Sequence, residues 1–206
     1  SFPTRRSSDL VGEQAMMAAT GGVNTHRGAI WALGLLVSAV AMLGGEANAP
    51  VITATAATLA KLPDDAAPKV FSKGLRATHR YRVPGAREEA QQGFPHILQH
   101  ALPQLRLSRR NGGSESHARI DALMAIMTSL TDTCVLSRAG MEGLETMQRG
   151  ARAVLSAGGS ATPEGQLALG ILDRQMLTLN ASPGGAADLL AATLFLDRIG
   201  TPYFKH

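Results

Sequence analysis

The sequence predicts an all-α fold, a single-domain bundle of helices around one buried apolar helix. Three observations lead there. Ala, Leu, Gly and Met are plentiful while aromatics make up 4%, whereas β-rich chains lean on Val, Ile, Tyr, Phe and Thr. Several stretches repeat apolar residues at helical spacing. No run alternates as a half-buried strand would. With 206 residues, 45% of them hydrophobic, the chain can build a proper core.

The opening "SFPTRRSSDL" reads as the translation of a common DNA sequencing adapter, so Ser1–Leu10 are set aside. Without them eighteen basic residues face fifteen acidic ones, and so mild a charge makes no argument for nucleic acid. The natural protein is then expected to start earlier, with residues 11–206 an N-terminally truncated domain. Helix follows from Leu10 to Thr20, punctuated by Gly21-Gly22. The uncharged run Ala29 to Gly45 imitates an export signal, down to an Ala-Asn-Ala after it. It does not open the chain, and it falls short of the roughly 20 apolar residues a span wants, so a buried helix is expected and no membrane.

The stretch from Glu46 to Gly74 reads as a broken helix interrupted at Pro63 and Pro68. A turn at Pro84-Gly85, a short helix and a turn at Gly93-Phe94-Pro95 come next; "RLSRRNGGSES" reads as a polar loop. Ser114 or Ser116 can cap a helix whose Ile120, Leu123, Met124, Met127 and Leu130 share a face. "TDTCVLSRAG" breaks the pattern before a helix from about Met141 to Ser156. A turn then places Pro163 at a helix start, with Leu169, Leu172, Met176 and Leu179 inward. A last helix runs from Ser182-Pro183 to Gly200. Typical lengths give roughly seven to nine helices.

Polar groups concentrate at three junctions between loop and helix. In Asn24-Thr25-His26-Arg27-Gly28 the glycines allow close approach, and Arg27 could fork onto a phosphate at a helix N-terminus. An ordinary capping turn explains the same residues. In "NASPGGAADLL", capping accounts for Ser182 and Pro183, but Gly184-Gly185 weakens the helix start by roughly 1 kcal/mol each. A phosphate or sugar against that backbone would offset the cost. Asp188 is an unexpected charge on an apolar helix, either ligating, catalytic or paired with an arginine. In Asp132-Thr133-Cys134 the carboxylate and hydroxyl could hold Mg²⁺ through water, or simply make a turn. Arg87 in "GAREEA" reads as part of a solvated face and is kept as a phosphate-binding candidate. Cys134, the single cysteine, excludes an intrachain disulfide and fits a reducing compartment. The histidines show no metal spacing, and neither a Walker A loop, GxGxxG nor GxSxG occurs.

The motifs "AATGGVNTHRGAIWALGLL", "GAREEAQQGFP", "LTDTCVLSRAG" and "LNASPGGAADLLAATLFLD" resemble, in order, those of the triphosphoribosyl-dephospho-CoA synthase family that serves malonate decarboxylase or citrate lyase. The resemblance covers Val11 to Ile199 and implies an all-helical, cytoplasmic transferase. It implies that ATP and 3′-dephospho-CoA are joined with loss of adenine, and that the product goes to a holo-synthase for an acyl carrier subunit. Substitution at C1 of a ribose develops oxocarbenium character, which asks for a carboxylate, a proton donor and a cradle for phosphates. On that reading Asp188, Asp132 and His26 are the catalytic candidates. Asn24, Thr25, Arg27, Arg87, Ser182, Gly184 and Gly185 bind substrate, and Asp132 and Asp188 hold an expected Mg²⁺. The family's "PKPGLV"-like and "DMD"-like motifs are absent, and Ser137 and Ala139 stand where it often has His and Gly. A helical Mg²⁺-dependent hydrolase of nucleotides or ADP-ribose-like substrates is the rival class. A catalytically dead ligand-binding or helper protein is the third.

Overall fold

The computed structural model describes residues 7–22, 27–45, 47–63 and 73–199. These form helices α1 (Ser7–Ala19), α2 (Arg27–Met42), α3 (Ala49–Lys61), α4 (Lys73–Tyr81) and α5 (Ala86–Gln91), then a π-helical turn (His96–Ala101). α6 (Leu102–Arg110), α7 (Glu115–Met127), α8 (Thr133–Ser156), α9 (Pro163–Thr178) and α10 (Gly184–Ile199) follow. No strand occurs among the described residues, so the all-α expectation holds. α1 to α3, α5 and α10 from Ala191 onward form one compact unit; α4, the π-turn, α6 to α9 and α10 up to Leu190 form another.

In the first unit α2 packs between α1 and α3. Leu36 and Ala39 are fully buried, while Val37 and Met42 look outward. Among the described residues no helix is long and apolar enough to cross a membrane. α2 ends where the Gly45 N–H donates back to the Val40 carbonyl at 3.1 Å, with Gly44 left-handed at φ 71. The helical stretch after it is interrupted at Pro63 as expected, α3 ending at Lys61; Pro68 lies outside the described residues. Asn48 caps α3 by accepting from the Val51 N–H at 3.1 Å, Pro50 sits in the first turn, and Pro63 lies just beyond the end. Ala49, Ile52, Thr53, Ala56, Ala57 and Ala60 make its buried face. α5 packs on α3, and Gln91 Nε2 donates to the Ala60 carbonyl at 3.2 Å.

The second unit holds the larger departures. α4 and the π-turn were not foreseen. The expected polar loop "RLSRRNGGSES" is helical through Arg110, because Leu102, Leu105 and Ser108 recur inward every third residue. Arg109 then forks onto Glu115 at the start of α7, Nε to Oε2 at 2.9 Å and Nη2 to Oε1 at 3.0 Å. Arg119 joins from one turn along at 3.0 Å. The hydrogen bond from Arg109 is the main reason the Glu115 carboxyl is lowered to about 2.

Ser114, the first of the two proposed caps, accepts from the His117 N–H at 3.3 Å. The inner face of α7 is smaller and more polar than the expected one: Ala118, Asp121, Ala122 and Ala125 join Met124, Ile126 and Met127. Asp121 is 3% exposed. It accepts from Ser108 Oγ of α6 at 2.7 Å and from the Ser160 N–H, between α8 and α9, also at 2.7 Å. Ser160 Oγ returns a bond to the His117 carbonyl at 3.1 Å. A buried carboxylate thus ties three segments, with both oxygens satisfied.

The helix expected from about Met141 is the longer part of α8; a shorter helical segment from Thr133, which was not expected, precedes it across a kink at Gly140, whose φ 62 and ψ −158 are open to glycine alone. α9 starts with Pro163 after the Thr162 cap, as expected, and buries Leu172 and Met176 against α8. A methyl at Gly165 would overlap the Gly159 carbonyl, and one at Gly150 would stand 2.5 Å from Leu172 Cδ1. We expect Gly165→Ala to cost about 1–3 kcal/mol of stability, the usual penalty of forcing extra volume into a packed site. A denaturant melt checks this, and an unchanged midpoint would mean the turn before α9 yields freely.

Candidate functional site

In the second unit two helix N-termini meet over one carboxylate. Asp132 is the N-cap of α8: its Oδ1 accepts from the N–H groups of Cys134 at 2.8 Å and Val135 at 3.3 Å. Its Oδ2 accepts from the Ala186 N–H in the first turn of α10 at 2.9 Å, and the Gly185 N–H also points at it. One side chain therefore caps two helices whose sequences lie some fifty residues apart. Burial, at 1% exposure, pushes the Asp132 carboxyl up from its usual 3.8, against the pull of those four N–H groups.

The paired glycines follow from this approach. A β-carbon on Gly185 would stand 3.1 Å from Asp132 Oδ2, and one on Gly184 3.0 Å from the Cys134 sulfur. Their cost in helix propensity is offset inside the protein, by letting α10 start against the carboxylate. Asp188 lies one turn further along α10, on the face shared with Gly184 and Gly185. It is half-buried and close enough to Cys134 to act on its thiol. Burial first, then the charges of Asp132 and Asp188, raise that thiol to about 11. Ser182 is exposed in the loop before α10, its carbonyl accepting from the Gly184 N–H at 2.9 Å.

The structure thus brings together Asp132, Ser182, Gly184, Gly185 and Asp188 of the proposed residues. Asn24, Thr25 and His26 lie outside the described residues. Arg27 opens α2 in the first unit, its Nε 3.3 Å from Glu13 Oε2 on α1. Arg87 is exposed on α5 of that same unit. For Mg²⁺ the fit is partial. Both oxygens of Asp132 are taken up by N–H groups, which leaves a cation no open lone pair of good direction, and Asp188 is the remaining carboxylate of the pair. Among the described residues no cluster of three or more His, Cys, Asp or Glu could hold a metal. Asp121 and its seryl partners were missed by sequence reading; one aspartate in an Ala- and Met-rich helix carries no local sign of partners far along the chain.

The all-helical fold is shared with a crystal structure from Archaeoglobus fulgidus provisionally described as a triphosphoribosyl-dephospho-CoA synthase. The TM-score is 0.62 at 19% identity, over 92% of this chain and 89% of that one. Much nearer in sequence is the 2-(5″-triphosphoribosyl)-3′-dephosphocoenzyme-A synthase of Klebsiella pneumoniae. It is 72% identical over 188 residues, 91% of this chain and 67% of that protein. A protein of Stutzerimonas stutzeri carrying the same name, marked probable, is 64% identical over 91% of this chain and 65% of its own length. The chain spans about two thirds of the length of these relatives. The family profile described as ATP:dephospho-CoA triphosphoribosyl transferase matches residues 6–204. The chain belongs to this transferase family.

Two outcomes follow from the geometry. Asp132→Asn keeps an acceptor for α8 but turns an amide donor toward the N–H groups of α10, so a loss of about 1–3 kcal/mol is expected at neutral pH. The sign of its pH dependence is also set. A carboxyl held above 3.8 in the folded state favours folding most when protonated, so this contribution is lost as pH rises through the folded value. The variant should lack that loss, which paired denaturant melts across acid pH would reveal. Cys134, half-buried and with its thiol raised to about 11, should react slowly with iodoacetamide at pH 8 in the native chain and faster once unfolded; rapid native labelling would contradict the raised thiol.

Proposed function

We propose that the chain carries the activity named for its family, joining ATP and 3′-dephospho-CoA into 2′-(5″-triphosphoribosyl)-3′-dephospho-CoA with release of adenine. The observation that carries this is the 72% identity to the Klebsiella synthase over 188 residues. The geometry supports it with a half-buried carboxylate, Asp188, held one turn from the joined starts of α8 and α10.

On this reading the 2′-hydroxyl of dephospho-CoA attacks C1 of the ATP ribose. The C1–N9 bond breaks, and adenine leaves with its electron pair. Asp188 takes the hydroxyl proton and steadies the developing cation. Adenine acquires a proton as it departs, with His26 the donor. Asp132 is assigned to positioning, because its oxygens are committed to holding α8 and α10. Mg²⁺, arriving with the triphosphate, would neutralise phosphate charge, with Asp188 as a protein ligand through water. Asn24, Thr25, Arg27, Arg87 and Ser182 are the candidate substrate contacts. The wording "NTHRGAIW" inclines the assignment to the malonate decarboxylase pathway. There the product would pass to a cytoplasmic holo-synthase for the acyl carrier subunit.

Adenine release measured with and without dephospho-CoA, and the product weighed by mass spectrometry, tests the reaction. Adenine formed only with both substrates, together with the joined product, is expected. Adenine or phosphate released from ATP alone would make the protein a hydrolase, and nucleotide binding without turnover a helper. Asp188→Asn should abolish adenine release with the thermal midpoint little changed; full activity in that variant would remove Asp188 from the reaction.

A further inference from the structure

α4 has a charge pattern that the fold does not use. From Ala66 to Arg87 the sequence holds six Lys or Arg and a histidine, and no acid. Arg76, Arg80 and Arg82 are exposed, and none of the three is ion-paired among the described residues. Elsewhere in the described residues Arg27 pairs with Glu13, and Arg109 and Arg119 with Glu115, while single exposed arginines such as Arg110, Arg138 and Arg174 also carry no ion pair; what sets α4 apart is that its cations stand together. Arg76 and Arg80 lie one helical turn apart on the same face, where like charges repel. That arrangement is unfavourable unless an anion lies across it.

Two local features hold these groups in place. The Arg80 guanidinium lies 5.3 Å from the centre of the Tyr81 ring, a stacking position that orients its fork. Arg82 stands just past the helix end at φ 52, where the Val83 N–H closes back on the Thr78 carbonyl at 3.2 Å. Glycine is the usual residue at that left-handed position. An arginine there keeps a third cation beside the first two against a backbone preference.

α4 packs on α8, with the Tyr81 hydroxyl 3.5 Å from where a β-carbon of Gly140 would stand. Gly140 is about two turns, roughly 10 Å, along α8 from Thr133 and the Asp132 cap. The cationic edge therefore packs on the helix that Asp132 caps.

We propose that Arg76 and Arg80, with Arg82, bind the phosphate chain of a nucleotide substrate. This rests on the transferase reading, in which both substrates carry such a chain. Guanidinium forks match phosphate oxygens in pairs. A spacing of about 5–6 Å between side-chain origins lets two forks close on one compact polyanion. Carboxylates dispersed over an acidic protein would be matched less well by so short a row.

The test uses the double variant Arg76→Gln/Arg80→Gln and the single Arg82→Gly, with inorganic tripolyphosphate as the probe in calorimetric titration at two salt concentrations. The double variant should bind tripolyphosphate at least about tenfold more weakly, with a shallower salt dependence and an unchanged thermal midpoint. Arg82→Gly should weaken binding while leaving stability equal or higher. In turnover, KM should rise with kcat retained, for ATP if the triphosphate lies on α4 and for dephospho-CoA if the diphosphate does. Unchanged tripolyphosphate affinity, or a loss confined to an acidic carrier protein, overturns the proposal. Should the parent chain form no joined product, the transferase reading fails, and the tripolyphosphate titration still decides whether α4 is a polyphosphate site.

Discussion

The candidate site depends on a single buried carboxylate. Asp132 accepts N–H groups from the first turn of α8 and from the first turn of α10, so each helix start is held by the same side chain. A helix N-terminus leaves unpaired N–H groups that must find acceptors when buried. Here two sets find one acceptor, and this fixes where Asp188 stands relative to α8. The cost is a charge taken out of water, visible in the raised Asp132 carboxyl. Four N–H groups at the positive ends of two helix dipoles offset much of it.

The same device recurs at Asp121, where a buried aspartate collects a seryl hydroxyl from α6 and an N–H from the turn before α9. Both aspartates sit against glycines whose added methyl would strike the carboxylate: Gly185 at 3.1 Å and Gly159 at 2.7 Å. Aspartate and glycine together form a joint, one supplying the acceptor and the other the room. The pairs Gly158-Gly159 and Gly184-Gly185 are therefore read first as packing requirements. For Gly184-Gly185 this moves the reason for the glycines from a bound ligand to the carboxylate and thiol behind them, with the substrate still expected at the open side.

Family membership and local geometry bear on different questions. The match across residues 6–204 says which chemistry to look for. The geometry separates the two carboxylates, since Asp132 is sealed and Asp188 is half-buried. The arginines of α4 add a positive surface on a helix packed against α8, the helix that Asp132 caps.

Helix as the only regular element was legible in the sequence, and so were most helix ends, because glycine, proline and capping residues act within a few positions of themselves. Gly21-Gly22, Ser114, Pro163 and Pro183 all punctuate where expected. The regions misread were those whose periodicity is interrupted by polar residues. α6 is a helix with three arginines outward, and the segment of α8 before Gly140 is helical ahead of the apolar pattern. The motifs also pointed to the family and to Asp132 and Asp188 as residues of interest. What Asp132 does was settled only by tertiary structure. Its partners at Gly185 and Ala186 are distant in sequence, and no local pattern encodes a hydrogen bond between two helix starts brought together by folding.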